Sequence, residues 1–298
     1  MVEKFINYFS LPSTPLFGDS RSALEQAISQ VDKVITVSPS YAKALLNPHG
    51  HAYTDSRITD ALKKKGVEGI LNVLGQDRAD TTRYNNLVTF TATDAADGKA
   101  INKQSLQKRF NLPLSKEAFL VTMMARLVKQ KSISEVIDAA KLLFQGTEQL
   151  PIQLLLVGSA DDQTRTSLKS LMKRSPNIIF IDRFVEGEDR ELILRGSDAM
   201  LMPSLFEPCG MIALECSQFG TIPIYTPIEG FHDSVIPFDG KQNGYGIQVE
   251  YPPTGQTVFN AITAAHSLFV TPTWNLLITN AMAQHWAWDS EYDKYFGV

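Results

Sequence analysis

At 298 residues with 44% apolar side chains, the chain can bury one large core or two ordinary ones. A formal net charge of −4 argues against nucleic acid or an anionic membrane surface as the main partner, and no apolar run approaches the length of a membrane span. The opening MVEKFINYFSLPS has no basic stretch followed by an apolar one, so secretion is not expected. The two cysteines, Cys209 and Cys216, stand too far apart to bridge and fit a reducing cytoplasm as small buried residues rather than metal ligands.

In chain order, helices are predicted at about 20–31, 39–46 and 56–65, with short buried strands at Val34–Ser38 and Gly69–Val73. Two strands alone make a marginal sheet, so this region reads as incomplete and in need of a covering neighbour. The stretch 75–105 is polar and turn-rich and reads as a hinge or loop. From there strand and helix alternate. Phe119–Met124 is a strand, and Ile133, Val136, Ile137, Ala140, Leu143 and Phe144 recur at helical spacing. Ile152–Val157 is the next strand and ends at Gly158-Ser-Ala-Asp161. A helix over 162–174, a strand at Ile178–Ile181, a helix over 188–196 and a strand over 199–202 follow. Near-continuous apolar strands between amphipathic helices indicate a parallel sheet covered on both faces, a doubly wound α/β domain.

The segment from Pro203 to Asp233 carries the most chemistry. Glu207-Pro208 is predicted to open a helix, with Pro near the first helical position where a missing N–H costs nothing. Met211, Leu214 and Phe219 form its apolar face, Gly220 closes it, and Ile222-Pro-Ile-Tyr225 resumes a strand. A helix start at the C-terminal end of a parallel strand is where such sheets bind anions. A carboxylate there would repel phosphate, so Glu207 is expected to face the neutral, hydroxyl-bearing part of a ligand; a plain helix cap is the alternative. Arg126-Leu-Val-Lys-Gln-Lys131 follows the first strand of the large domain. Its guanidinium fork and ammonium suit a diphosphate, where a lone basic loop would be solvated surface. Sharing a sheet edge with Glu207 favours the first reading.

Other candidates weigh less. Gly158–Asp161 reads as a strand-to-helix turn. Glu207 and Glu215 lie eight apart along one helix, too far to flank a single bond as a hydrolase pair. His49 and His51 lack a third ligand nearby and read as surface histidines. Trp274, Trp286, Trp288, Tyr292 and Tyr295 read as packing near the C-terminus, with stacking on sugar as the alternative.

These residues resemble the C-terminal half of bacterial glycogen synthase and plant starch synthase, retaining glycosyltransferases of the GT-B fold. Val37-Ser-Pro-Ser-Tyr-Ala42, Arg126-Leu-x-x-Gln-Lys131, Pro203-Ser-x-Phe-Glu-Pro-Cys-Gly210 and Gly220-Thr-Ile-Pro223 carry the likeness, from about residue 25 onward. The resemblance implies a nucleotide-sugar-binding Rossmann-like domain over 105–275. A remnant of the acceptor-side domain with its hinge would cover 1–104, and C-terminal helices over 276–298 would cross back towards it. It further implies transfer of glucose from ADP-glucose, or another nucleotide-sugar, to the non-reducing end of an α-1,4-glucan, in the cytoplasm or in a plastid stroma, with no metal or cofactor. The chain would be the donor-binding half, partnered by a polypeptide supplying the rest, or a non-catalytic relative that binds nucleotide-sugar or glucan. Arg126 and Lys131 would hold the diphosphate, Glu207 the donor glucose, and the backbone of Cys209, Gly210 and Met211 the distal phosphate. Glu215 would join the donor site as in other retaining GT-B transferases. Against the family pattern, Ile228-Glu-Gly-Phe231 places a carboxylate, Glu229, where backbone is expected to approach the donor. Ile212 replaces a threonine, Asn72-Val-Leu-Gly75 replaces the hinge motif, and Phe184-Val185 falls near the family's adenine-side tyrosine.

Overall fold

The computed structural model describes residues 22–47, 55–75, 84, 86–145, 150–284, 286 and 294–295. His49, His51, Trp288 and Tyr292 lie outside them. The first region holds α1 (Ala23–Gln30), β1 (Ile35–Thr36), α2 (Pro39–Leu45), α3 (Ser56–Lys65) and β2 (Glu68–Gly69). Ser22 and Glu25 form a capping box on α1, and Ser38 caps α2 with Pro39 in its first turn. β1 and β2 pair in parallel, shorter than the predicted strands, while Asn72 N–H still reaches Val37 O at 3.1 Å.

The large domain follows with α4 (Ala95–Arg109), β3 (Phe119–Met124), α5 (Ile133–Leu143), β4 (Ile152–Val157), α6 (Asp162–Met172), β5 (Ile178–Ile181) and α7 (Gly187–Gly196). Then come β6 (Ala199–Met202), α8 (Met211–Gln218), β7 (Ile222–Tyr225), α9 (Glu229–Ser234), β8 (Ile247–Gln248), α10 (Gly255–Phe269) and α11 (Thr273–Met282). Its strands lie parallel in the order β5-β4-β3-β6-β7-β8. The order reverses between β3 and β6, the switch point at which α/β sheets open a crevice at their C-terminal edge. β4 is buried at every position, as a central strand covered on both faces must be.

Three expectations require correction. The stretch 75–105 was expected to be loop, yet α4 occupies residues 95–109. Its buried side is Ala95, Gly98, Lys99, Asn102, Lys103, Leu106 and Gln107, so no apolar stripe announces it. Each polar member is satisfied within the core. Lys103 pairs with Asp198 at 2.6 Å, Gln107 Nε2 donates to Gln153 Oε1 at 2.8 Å, and Asn102 Nδ2 donates to Val88 O at 2.8 Å. Secondly, the helix expected to open at Glu207-Pro208 begins at Met211. Gly210 stands before it in the left-handed region (φ 77), where any Cβ would strike the Phe231 ring. Cys209, expected on that helix beside Cys216, therefore lies ahead of it; both cysteines are buried and neither is in a disulfide. Thirdly, Val34 and Leu71, expected to be left uncovered, are buried in a second cluster that includes Cys209, with Phe206, Met211 and Trp286 packed against it.

Lys99 Nζ donates to Arg195 O (3.1 Å), Phe219 O (3.0 Å) and Thr221 Oγ1 (2.8 Å), meeting the C-terminal ends of α7 and α8. Burial brings its pKa down to about 7. That downward shift makes the folded protein lose stability as pH falls from about 10.5 to 7, so Lys99→Met, which has no such proton to bind, is expected to gain on wild type across that range. Urea denaturation at pH 7 and pH 10 checks this; an equal difference between the two proteins at both pH values would overturn it. Beyond α11 the chain returns to the first region: Leu74 N–H donates to Trp286 O (2.9 Å), and Tyr295 Oη reaches Asn72 Oδ1 (3.4 Å). Trp274 is core, edge-on to Phe119 at 5.3 Å.

Candidate functional site

β3 and β6 deliver their loops to one end of the sheet, and a cavity of about 310 Å³ lies there. Arg126 and Lys131 line it from the β3 side; Glu207, Cys209, Gly210 and Met211 line it from the β6 side. Gln130 stitches the two loops: its carbonyl accepts from Leu205 N–H at 2.8 Å and its amide donates to Phe206 O at 3.0 Å. Lys129–Lys131 make a short 3₁₀ turn, and Ser132 closes it in the left-handed region (φ 53), buried and with no partner for Oγ among the described residues. Gly158–Asp161 proves to be the turn it resembles: Asp161 caps α6 by accepting from Thr164 N–H at 2.7 Å.

At the mouth of the cavity Lys131 Nζ forms an ion pair with Glu207 Oε2, their side chains 18% and 15% exposed. Partial burial makes this pair stronger than a surface bridge, since water screens it less. Glu207 Oε1 accepts from Gly210 N–H at 3.3 Å, so that N–H, expected to meet a phosphate, serves the carboxylate in this structure. Arg126 is exposed and forms no ion pair among the described residues. It faces the same space as a free guanidinium.

Glu215 does not join them. One turn further along α8, it is 2% exposed and paired with Arg190 of α7. The pair lines a separate cavity of about 270 Å³ together with Tyr84, Phe184 and Gln218. The helical repeat explains the separation, since a residue four positions on sits about 6 Å along the axis, away from the helix start.

Three contributors were not read from the sequence as site residues. Ser38 Oγ donates to Pro208 O at 2.8 Å, and Asp233 of α9 accepts from both the N–H (2.7 Å) and the hydroxyl (2.8 Å) of Ser40. Together they lock the first region onto the Glu207 turn and α9; the sequence signal was the motif Val37-Ser-Pro-Ser-Tyr-Ala42, within which Ser38-Pro39 is a cap pattern. Glu229, noted as a departure, is 7% exposed at the start of α9, and its carboxylate lies 3.4 Å from Glu207 N. Burial raises its pKa to about 7, opposed by the hydrogen bond from Glu207 N–H and helped by the smaller effect of the Glu207 charge. Among the described residues no cluster of His, Cys, Asp and Glu could hold a metal, and no helix is long and apolar enough to cross a membrane.

A family model described as "Glycosyl transferases group 1" matches residues 104–252. The glycogen synthase of Mycoplasma mobile is 31% identical over 294 residues, covering 96% of this chain and 60% of the relative. That of Streptococcus mutans is 28% identical, covering 94% of this chain and 58% of the relative. The catalytic domain of starch synthase IV from Arabidopsis thaliana, solved with ADP and acarbose, superposes with a TM-score of 0.77 at 26% identity. That match spans 93% of this chain and 57% of the other. Sucrose-phosphate synthase from Thermosynechococcus elongatus, at 19% identity and a TM-score of 0.59, shares the fold. The chain spans under two thirds of the length of the relatives it matches.

Proposed function

The chain belongs to the group 1 glycosyl transferases, and from that premise we propose that it is the donor-binding part of a glycogen- or starch-synthase-type glucosyltransferase. The donor would be ADP-glucose and the acceptor the non-reducing end of an α-1,4-glucan. The observation that carries this reading is the Lys131–Glu207 pair facing Arg126 across one cavity. Arg126 and Lys131 receive the diphosphate, and Glu207 turns its carboxylate to the sugar hydroxyls. As the glycosidic bond to the diphosphate breaks, negative charge grows on the departing oxygens and positive character on the anomeric carbon. The two cations meet the first, the carboxylate the second, in a site already organised for both. The first-turn N–H groups of α8 add a positive end to the same space. Such electrostatic work calls for no metal.

Calorimetry with ADP-glucose tests this. Arg126→Ala is expected to weaken binding by about 1.5–3 kcal/mol, the scale of a charge-assisted contact. Equal affinity for both proteins would remove Arg126 from the diphosphate. A second reading, a donor with a different base, is supported by the Arg190–Glu215 pair and the aromatic side chains Tyr84 and Phe184 at the neighbouring cavity. UDP-glucose binding more tightly than ADP-glucose in the same experiment would favour it.

A further inference from the structure

The first turn of α9 is jammed against the Glu207 turn. A Cβ on Gly230 would lie 2.4 Å from Cys209 Cα, and Gly230 N–H donates to Glu207 O at 2.8 Å. Glu229 is thus held directly behind the backbone that carries Glu207, with its carboxylate 3.4 Å from that residue's N–H. The only ammonium paired with either carboxylate among the described residues is Lys131, and it is taken by Glu207.

We propose that Glu229 is a positioning residue acting through Glu207: its ionisation tightens the hold of the Glu207 turn on Lys131 and lowers the cavity's affinity for a diphosphate. This rests on the donor reading above.

The physics follows from the count of charges. When Glu229 is neutral, its carbonyl oxygen accepts from Glu207 N–H, and Lys131 and Arg126 face an incoming diphosphate with only Glu207 opposing. When it is ionised, a second negative charge sits in a poorly solvated place behind the first. It draws Lys131 back and repels the anion. Among the described residues no cation forms an ion pair with Glu229. Burial raises the pKa of the Tyr251 phenol, following β8, and the charge of Glu229 raises it further. On α9 itself His232 is exposed, and Asp233 is tied to Ser40. Because burial holds the carboxyl proton until about pH 7, the change falls within the physiological range. The sign for stability follows too. A raised acid binds its proton more tightly folded than unfolded, so folding weakens as pH rises from about 4.5 to 7.

ADP-glucose is the probe, because its diphosphate is esterified at both ends and carries no group titrating near 7, unlike free ADP. Calorimetry at pH 6 and pH 8 is expected to show the wild-type Kd rising about five- to tenfold, while Glu229→Gln, which keeps the acceptor, stays flat near the pH 6 value. Parallel pH dependence in both proteins would overturn the proposal. Absence of ADP-glucose binding in either protein at both pH values would sink the donor reading instead, and a ligand-free measurement then decides. A ¹³C-carboxyl titration, assigned by Glu229→Gln, upholds the coupling if the Glu229 midpoint lies near 7 and falls in Glu207→Gln. A midpoint at the ordinary glutamate value, unmoved by Glu207→Gln, overturns it.

Discussion

Glu207→Gln is expected to move two observables in opposite directions. Affinity for ADP rises, because Lys131 is released from its ion pair and offers its full charge to the diphosphate; a gain of about 1–2 kcal/mol is the scale for a partly buried charge-assisted contact. On the proposed donor-site reading, and with the polypeptide that supplies the rest of the transferase present, transfer of glucose from ADP-glucose to glycogen falls by roughly 10²–10³, the usual cost of removing one preorganised electrostatic partner of the transition state. Glutamine matches glutamate in shape and still accepts from Gly210 N–H, so the turn before α8 survives. Calorimetry with ADP and incorporation of labelled glucose into glycogen read the two effects on one preparation. Transfer at the wild-type rate would exclude Glu207 from the reaction. Loss of both ADP affinity and transfer would point to a damaged fold rather than a missing carboxylate.

The second large effect lies at the far end of the sheet. Asp198→Ala is expected to destabilise the protein by about 3–5 kcal/mol, because it strips the buried Lys103 of its counterion. Asp198 is 6% exposed and also accepts from Leu120 N–H at 2.7 Å, so the same substitution leaves a buried N–H near the start of the central strand β3 without its partner. Lys103 lies over the Phe269 ring at 4.9 Å, which offsets only part of the loss. Replacing both residues, Asp198→Ala with Lys103→Met, should recover much of the stability, since no charge is then left buried. Chemical denaturation of the wild type and the two variants reads this directly. A single variant as stable as wild type would mean that Lys103 reaches water without cost.

These two sites differ in how far the amino-acid order reveals them. Glu207, Arg126 and Lys131 announce themselves because small-residue turns and strand ends are local features, written in consecutive residues such as Phe206-Glu-Pro-Cys-Gly210. The apolar runs at 119–124 and 152–157 declare buried strands for the same reason: a parallel strand covered on both faces has no solvent side to mark. Helix α4 hid itself. Its inward face carries two lysines, an asparagine and a glutamine, so neither periodicity nor composition separates it from a loop. Only partners from distant parts of the chain, Asp198 and Thr221 among them, make burying those groups tolerable.

The sequence by itself therefore determined the alternation of strand and helix, the parallel sheet, and the identity of the loops at its C-terminal edge, since these depend on spacing within a few residues. Tertiary structure decided which charges meet. It joined Lys131 to Glu207 across 76 positions and drew Glu215 aside to Arg190 across 25. It also set Glu229 behind the Glu207 turn and fastened the first region to that turn through Ser38 and to α9 through Ser40. Ion pairing depends on distances of a few ångströms between side chains that the chain order leaves unspecified, and a carboxylate's proton affinity depends on the water that packing excludes. Both are properties of the folded arrangement, and no local pattern contains them.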